Sequence, residues 1–420
     1  MRPQVSQRAR LMPASPIRKL MPLADEARRR GTHVYHLNIG QPDLPTPAAM
    51  RARLGQVPEV VAYSPSGGTS EFLAALQRYY AQLGLDFSLG ELIATTGGSE
   101  AVLFAVLAVC NEGDEILVVE PFYTNYLAFT TMAGARLVPV AARGEDGFHL
   151  PPREAFESAR SPRTRAVILC NPNNPTGTVY SRAEVEAVAD FCRAHGLFLI
   201  SDEVYREFVY DGRKAESALT LAGVEDHVIL VDSLSKRFSA CGLRLGCLAT
   251  RNRDVYQAAL RMAQGRLSPP GLAQLAALGI AELGADYYAG VVSEYQARRD
   301  VLFEGLSKIP GVFLRKPEGA FYFVARLPIL DGEDFARFLL GEYSLGGATV
   351  MVAPAQGFYA TPGLGLDEVR IAYVLKRGDL EASVRILAEA IPAYRDARGL
   401  DERPAASSNA TAPDFHTPTV

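Results

Sequence analysis

Between about residues 70 and 250, short apolar runs rich in β-branched residues alternate with stretches whose apolar positions recur every three or four residues. A strand buried on both faces reads as a continuous apolar run, and a helix laid over it reads as an amphipathic pattern. The alternation therefore predicts βαβ units and a mostly parallel sheet. The expected strands are Glu115–Val119, Arg136–Val140, Ala166–Cys170, Leu197–Ser201, Val228–Val231 and Arg244–Thr250. Ser181 with Glu184 three positions on forms a capping box, which opens a helix that Gly196 stops after His195. Gly97 and Gly98 precede another helix, whose first turn is Ser99, Glu100 and Ala101. Past residue 290 the pattern changes to a charged helix, Ser293–Ser307, followed by strands near Val312–Arg315 and Phe321–Val324. The expectation is an α/β protein with a large domain over 46–289 and a smaller α+β domain over 290–398 that takes in the N-terminal segment 1–45. The stretch 399–420, rich in Pro, Ala, Ser and Thr, reads as a disordered tail.

Composition narrows the class of function. With 48% hydrophobic and 21% charged residues, the 420-residue chain buries a sizeable core and is neither disordered nor fibrous. A formal net charge of −4 gives no electrostatic reason to expect nucleic acid or an anionic membrane as partner. The longest wholly apolar run, Ala101–Cys110, is far shorter than the ~20 residues a membrane crossing needs, so no membrane span is expected. Five cysteines without a CxxC pair fit reduced thiols and a cytoplasmic setting. His33 and His36 are the only close histidine pair and lack companion ligands, so no metal site is expected. The basic N-terminus, with Arg2, Arg8, Arg10, Arg18 and Lys19, has no apolar segment of its own and reads as a helix on the body of the protein with a solvated basic face, an arginine-rich organelle transit segment being the alternative.

In an open α/β sheet, ligands sit beyond the carboxyl ends of the strands. The residues that follow those ends here are Glu120 to Tyr126, Asn171 to Gly177, Asp202 to Tyr205 and Asp232 to Arg237. They bring aromatics, amides, a carboxylate, a phenol, hydroxyls and a lysine to one edge. The helix N-terminus at Ser99 suits a phosphate, and Ser233, Ser235 and Arg244 complete an anion site around Lys236. A cation next to Lys236 favours the neutral, nucleophilic amine, and Asp202 is placed to hold a pyridine nitrogen protonated. An amine able to form a Schiff base beside a phosphate cradle points to pyridoxal 5'-phosphate. Singly, each residue has a plainer reading: Lys236 as solvated surface, Asp202 as a turn cap, Asn171 to Gly177 as a loop of turn formers, Arg370 as a surface ion-pair partner.

The segments Asn171–Pro–Asn–Asn–Pro–Thr–Gly177, Ser201–Asp–Glu–Val–Tyr205 and Ser233–Leu–Ser–Lys236 with Arg244 eight residues on resemble the signature set of class I/II aminotransferases, pyridoxal-phosphate enzymes of fold type I. Asn38–Ile–Gly–Gln–Pro–Asp43, Tyr63 before Ser66–Gly–Gly68, Gly97–Gly–Ser–Glu–Ala101, Glu318–Gly–Ala–Phe–Tyr322 and Val369–Arg–Ile–Ala–Tyr373 agree with that family in order and spacing. The match runs from about Leu37 to Tyr394.

The resemblance implies that Lys236 holds the cofactor covalently and moves the substrate proton, with Asp202 on the pyridine nitrogen and Asn174 and Tyr205 on the ring oxygen. Tyr123 would stack on the ring, where relatives often carry tryptophan. Gly98, Ser99, the Glu100 amide, Ser233 and Arg244 would hold the phosphate, and Tyr63 would reach it from a neighbouring subunit of a homodimer with a shared active site. Arg370 would fork onto the substrate α-carboxylate, beside Asn174 and the Gly40 backbone, and Pro121 and Pro175 match prolines that are often cis. The implied reaction is ping-pong amino transfer between an L-amino acid and a 2-oxo acid, with an aspartate-like substrate favoured. Lyase, decarboxylase or oxidase chemistry on the same scaffold is the alternative, and a ligand-sensing regulator a remote one. No motif fixes a grip for a side-chain carboxylate; Arg266 is one candidate, and an interface or surface salt bridge is its other reading.

Overall fold

The computed structural model describes residues 3–400; of the expected disordered tail 399–420, Gly399 and Leu400 are ordered against the end of the last helix, their amides bonded to the Asp396 and Arg395 carbonyls, and the remainder lies outside the described residues. Thirteen strands are described: β1 His33–His36, β2 Leu92–Thr95, β3 Glu115–Glu120, β4 Arg136–Ala141, β5 Thr164–Cys170, β6 Phe198–Asp202, β7 Val228–Ser233, β8 Gly246–Thr250, β9 Phe313–Leu314, β10 Tyr322–Arg326, β11 Ala348–Met351, β12 Ala353–Pro354 and β13 Glu368–Ala372. Seven of them form one sheet in the order β2-β8-β7-β6-β5-β3-β4. Only β8 runs against its neighbours, β2 and β7, so the sheet is mostly parallel, as the apolar runs predict. β3 and β7 are buried at every position, which explains why they read as unbroken apolar runs rather than as alternation.

Helices cover both faces. The helix Arg182–His195 starts in the capping box of Ser181 and Glu184 and ends at Gly196, whose φ of 63° is left-handed. The helix Gly97–Val109 is apolar nearly all round because it lies in the core against β7 and β8. The expected strand Arg244–Thr250 begins two residues later, since Arg244 takes a φ of 52° and turns the chain into β8. The helix expected over Ser293–Ser307 runs over Ala285–Leu306 instead. Its first two turns, with Gly290 and two adjacent valines, carry little helical patterning and take their conformation from packing. Among the described residues no single helix is long and apolar enough to cross a membrane.

A second sheet, β12-β13-β10-β9, is antiparallel and places Arg370 on β13 opposite Val324 and Ala353. β1 pairs in parallel with β11, from His33 beside Ala348 to His36 beside Met351, so the N-terminal residues join the C-terminal part of the chain. The helix Met21–Arg29 buries Ala24 and Ala27 and leaves its arginines outside. The closing helix Arg377–Ala397 has no counterpart among the expected elements; Pro392 sits inside it and masks its period.

His149 ties these layers together. Its Nδ1 lies 3.0 Å from Glu184 and its Nε2 3.8 Å from Glu318, and these carboxylates, Glu184 first, raise its pKa from 6.5 to about 10. The protonated ring therefore stabilises the fold fully below pH 6.5, and the contribution fades as pH rises to about 10. Between those limits the urea midpoint of the wild type should fall more steeply than that of His149→Gln. The difference stays within the ~1 kcal/mol of a half-exposed pair. Parallel slopes would show that His149 carries no such linkage.

Candidate active site

The carboxyl ends of β5, β6 and β7 open onto a cleft of about 610 Å³. Gly40, Gly98, Ser99, Tyr123, Asn174, Asp202, Tyr205, Ser233, Lys236, Arg244 and Arg370 all line it, so eleven of the thirteen expected site residues converge from segments far apart in sequence. Glu100 and Tyr63 do not line it. The Glu100 carboxylate turns away to accept from the Thr96 amide at 2.8 Å and from Arg266 at 2.6 Å. Tyr63 is 82% exposed on a loop whose Val57, Val60 and Val61 also face outward.

The loop after β5 shows how the chain builds one pointing side chain from several turn formers. Asn171 Oδ1 accepts from the Tyr180 amide at 2.9 Å, and Asn173 Oδ1 accepts from the Thr176 hydroxyl at 2.9 Å and its amide at 3.2 Å. Those two asparagines shape the loop. Asn174 is the one that faces the cleft. Gly177, at a φ of 73°, accepts from the amides of Glu318 and Gly319, and a Cβ there would sit 2.5 Å from the Tyr322 carbonyl oxygen. The loop and β10 are thereby held in contact. Glu120–Pro121 and Asn174–Pro175 are cis, as expected, and Asn171–Pro172 is a third cis bond that nothing in the sequence marked.

At the end of β6, Asp202 is buried and accepts from the Tyr126 hydroxyl at 2.6 Å and the Val204 amide at 3.3 Å. Burial raises its pKa to about 6. A buried carboxylate without a cation is costly, and a protonated ring nitrogen is the kind of partner that relieves it. After β7, Ser233 donates to Ser235 at 2.8 Å, and Lys236 Nζ donates to the Gly40 carbonyl at 2.8 Å. Arg244 lies so close to Gly97 that a Cβ on that glycine would meet its guanidinium at 2.5 Å. Helix N-terminal amides, two serine hydroxyls and a guanidinium thus border one spot, a donor set that fits a phosphate.

Arg370 is buried between the rings of Tyr322, at 4.4 Å, and Phe358, at 4.9 Å. It donates to Asn174 Oδ1 at 3.2 Å and to the Asn38 carbonyl at 2.6 Å, while its Nε and the Asn38 Nδ2, both buried, have no partner among the described residues. Burial lowers its pKa, since the guanidinium is taken out of water. These orphaned donors fit a carboxylate of the substrate, just as the set around Asp202 and Arg244 fits pyridoxal phosphate.

The sequence profile described as "Aminotransferase class I and II" matches residues 32–384. The chain belongs to the class I and II aminotransferases. It is 31% identical over 394 residues to the probable aspartate/prephenate aminotransferase of Thermus aquaticus, covering 92% of this chain and 99% of that one. A Thermus thermophilus aspartate aminotransferase single mutant superposes with a TM-score of 0.84 at 30% identity, over 93% of this chain and all of the other. An alanine aminotransferase from Pyrococcus furiosus superposes with a TM-score of 0.85 at 27% identity, with the same coverage. The fold is that of the fold type I aminotransferases, an α/β architecture around a mostly parallel sheet.

Four residues in or directly behind this aminotransferase's cleft had no role read from the sequence. Tyr126 holds Asp202, Tyr322 stacks on Arg370 and meets the Tyr205 hydroxyl at 3.1 Å, and Asn38 supports Arg370. All three stand inside motifs that the sequence displays, so their position was visible and only their partners were not. The fourth is Arg18. It is exposed, as Arg8 and Arg10 are and as a solvated face requires, but it also lines the cleft, which the sequence did not show. Arg266 is corrected: with Glu100 at 2.6 Å and the Ser66 carbonyl at 2.7 Å on its guanidinium, and no place in the cleft lining, it braces the structure rather than gripping substrate.

Proposed function

We propose that this aminotransferase works by ping-pong exchange between an L-amino acid and a 2-oxo acid through pyridoxal phosphate, with aspartate-like substrates favoured. One observation carries the reading: an amine, Lys236, and a buried, incompletely satisfied guanidinium, Arg370, face the same cleft as a carboxylate that burial has pushed toward neutrality. Pyridoxal phosphate, when bound, supplies an aldehyde for the amino group and a pyridinium ring that takes up the charge left when the Cα–H bond breaks. Of the cleft residues, Gly98, Ser99, Ser233 and Arg244 would hold its phosphate, joined by the backbone amide of Glu100 from the same helix turn, while Asp202 would hold its ring nitrogen, Asn174 and Tyr205 its ring oxygen and Tyr123 its ring face. Arg370 holds the substrate α-carboxylate with Asn174 and Gly40 beside it, and so fixes which bond at Cα faces Lys236. Lys236 Nζ then moves the proton at Cα.

The division into a cofactor-carrying domain, 46–289, and a smaller one from 1–45 and 290–398 is part of this reading: Arg370 comes from the second, and the cleft lies between them. So is a homodimer. The exposed apolar loop with Val57, Val60, Val61 and Tyr63 is the surface a second copy would cover, bringing Tyr63 to its partner's phosphate site. Five unpaired cysteines support a cytoplasmic setting. The aspartate preference draws on the names of the relatives above.

A panel of amino acids, each with and without 2-oxoglutarate, tests the reaction. Amino transfer that requires the oxo acid and leaves no free ammonia is expected. Ammonia, carbon dioxide or peroxide released without an oxo acid would replace this reading with lyase, decarboxylase or oxidase chemistry.

A further inference from the structure

Among the described residues the cleft carries four cationic side chains, Arg18, Lys236, Arg244 and Arg370, against one carboxylate, Asp202. In the reaction proposed above, Arg244 answers a phosphate, Arg370 an α-carboxylate, and Lys236 serves as the amine. Arg18 is left over. It is exposed at the rim, and its guanidinium has no hydrogen bond or ion pair among the described residues.

The backbone that carries it is, by contrast, firmly held. The Arg18 amide donates to the Ser15 carbonyl at 3.2 Å. On one side, Pro16 packs so tightly on Gly357 that a Cβ at that glycine would lie 2.5 Å from the proline ring. On the other, Lys19 pairs with Glu333, and Leu20 is fully buried. The backbone thus fixes where the side chain starts, and the planar guanidinium keeps five unused donors in the fork that matches a carboxylate. A neutral substrate would leave Arg18 unpaired at the rim, whereas a second carboxylate would complete it. Arg266, the arginine that the sequence offered for such a grip, is instead paired with Glu100 and lies outside the cleft lining.

We propose that Arg18 grips the side-chain carboxylate of a dicarboxylic amino acid or 2-oxo acid, while Arg370 holds the α-carboxylate of the same molecule. This rests on the amino-transfer reading of the cleft, and the experiment separates the two. Binding of succinate and of butyrate is measured by calorimetry in the wild type, Arg18→Met and Arg18→Lys. The ratio of kcat/KM for aspartate over alanine is measured alongside. Loss of a charge-assisted hydrogen-bonded pair is expected to weaken succinate about tenfold or more in Arg18→Met and to lower the aspartate-to-alanine ratio by a similar factor. Butyrate should bind as in the wild type, and Arg18→Lys should recover part of the succinate affinity. Equal weakening of succinate and butyrate would mark Arg18 as structural, and unchanged succinate binding would place the grip elsewhere; either overturns the proposal. Arg18-dependent succinate binding in a protein that transfers no amino group would sink the amino-transfer reading and leave the carboxylate grip standing.

Discussion

Lys236→Ala should lower amino transfer by at least about 10⁴-fold, the upper end of what one positioned proton-transfer group supplies, because in the proposed reaction this lysine is also the amine that holds the cofactor. The variant should fold as the wild type does. The lysine's hydrogen bond goes to the Gly40 carbonyl, at 2.8 Å, and its removal leaves no buried charge unpaired. Circular dichroism checks that point, and a coupled assay with aspartate and 2-oxoglutarate reads the rate. Turnover within a hundredfold of the wild type would remove Lys236 from the centre of the reaction. The neighbouring Ser235 makes a useful contrast. Its contact is the 2.8 Å bond from Ser233, so Ser235→Ala should cost far less.

Arg237→Met, one residue further on, should leave the chemistry in place and cost stability, about 3–5 kcal/mol. Arg237 is buried and pairs with both Asp232 and Glu207, the latter at 2.9 Å, and it meets the Tyr79 hydroxyl. Asp232 also accepts from Tyr80 at 2.7 Å and faces Arg206 at 3.6 Å, and Arg206 in turn pairs with the buried Glu203 at 2.6 Å. Three carboxylates thus share two guanidinium groups out of reach of solvent. Burial already pushes the pKa of Glu207 to about 7, so the balance is close. Taking away Arg237 strands Asp232 and Glu207 together. Urea unfolding followed by tyrosine fluorescence measures the loss; a change below about 1 kcal/mol would show that the network does not hold the segment carrying Lys236.

The chemistry was legible where it follows an apolar run directly. Asp202 and Asn174 come within a few residues of the ends of β6 and β5, Lys236 follows β7, and Arg370 lies on β13 itself. A strand buried along its length announces its own end, and whatever polar residues follow must sit at the sheet's edge. Partners that reach across elements are different. Nothing local tells Tyr126 from the other tyrosines of the chain, or says that Arg237 rather than Arg244 is buried, because both properties arise only when distant segments meet. Arg18 is the sharpest instance: its neighbours in sequence read as a basic helix face, and its place at the cleft follows from Pro16 and Lys19 docking more than three hundred residues away. The helix Arg377–Ala397 was hidden for another reason, since a proline near its end contradicts the pattern that the rest of it follows.

The parallel pairing of His33–His36 with Ala348–Met351 also sets a timetable. At a synthesis rate of roughly 5–20 residues per second, the first strand leaves the ribosome some 15–60 s before the strand it pairs with. Until then the arm that carries Arg18 has neither Gly357 nor Glu333 to dock on, so that wall of the cleft takes shape only as the last segments of the chain are released.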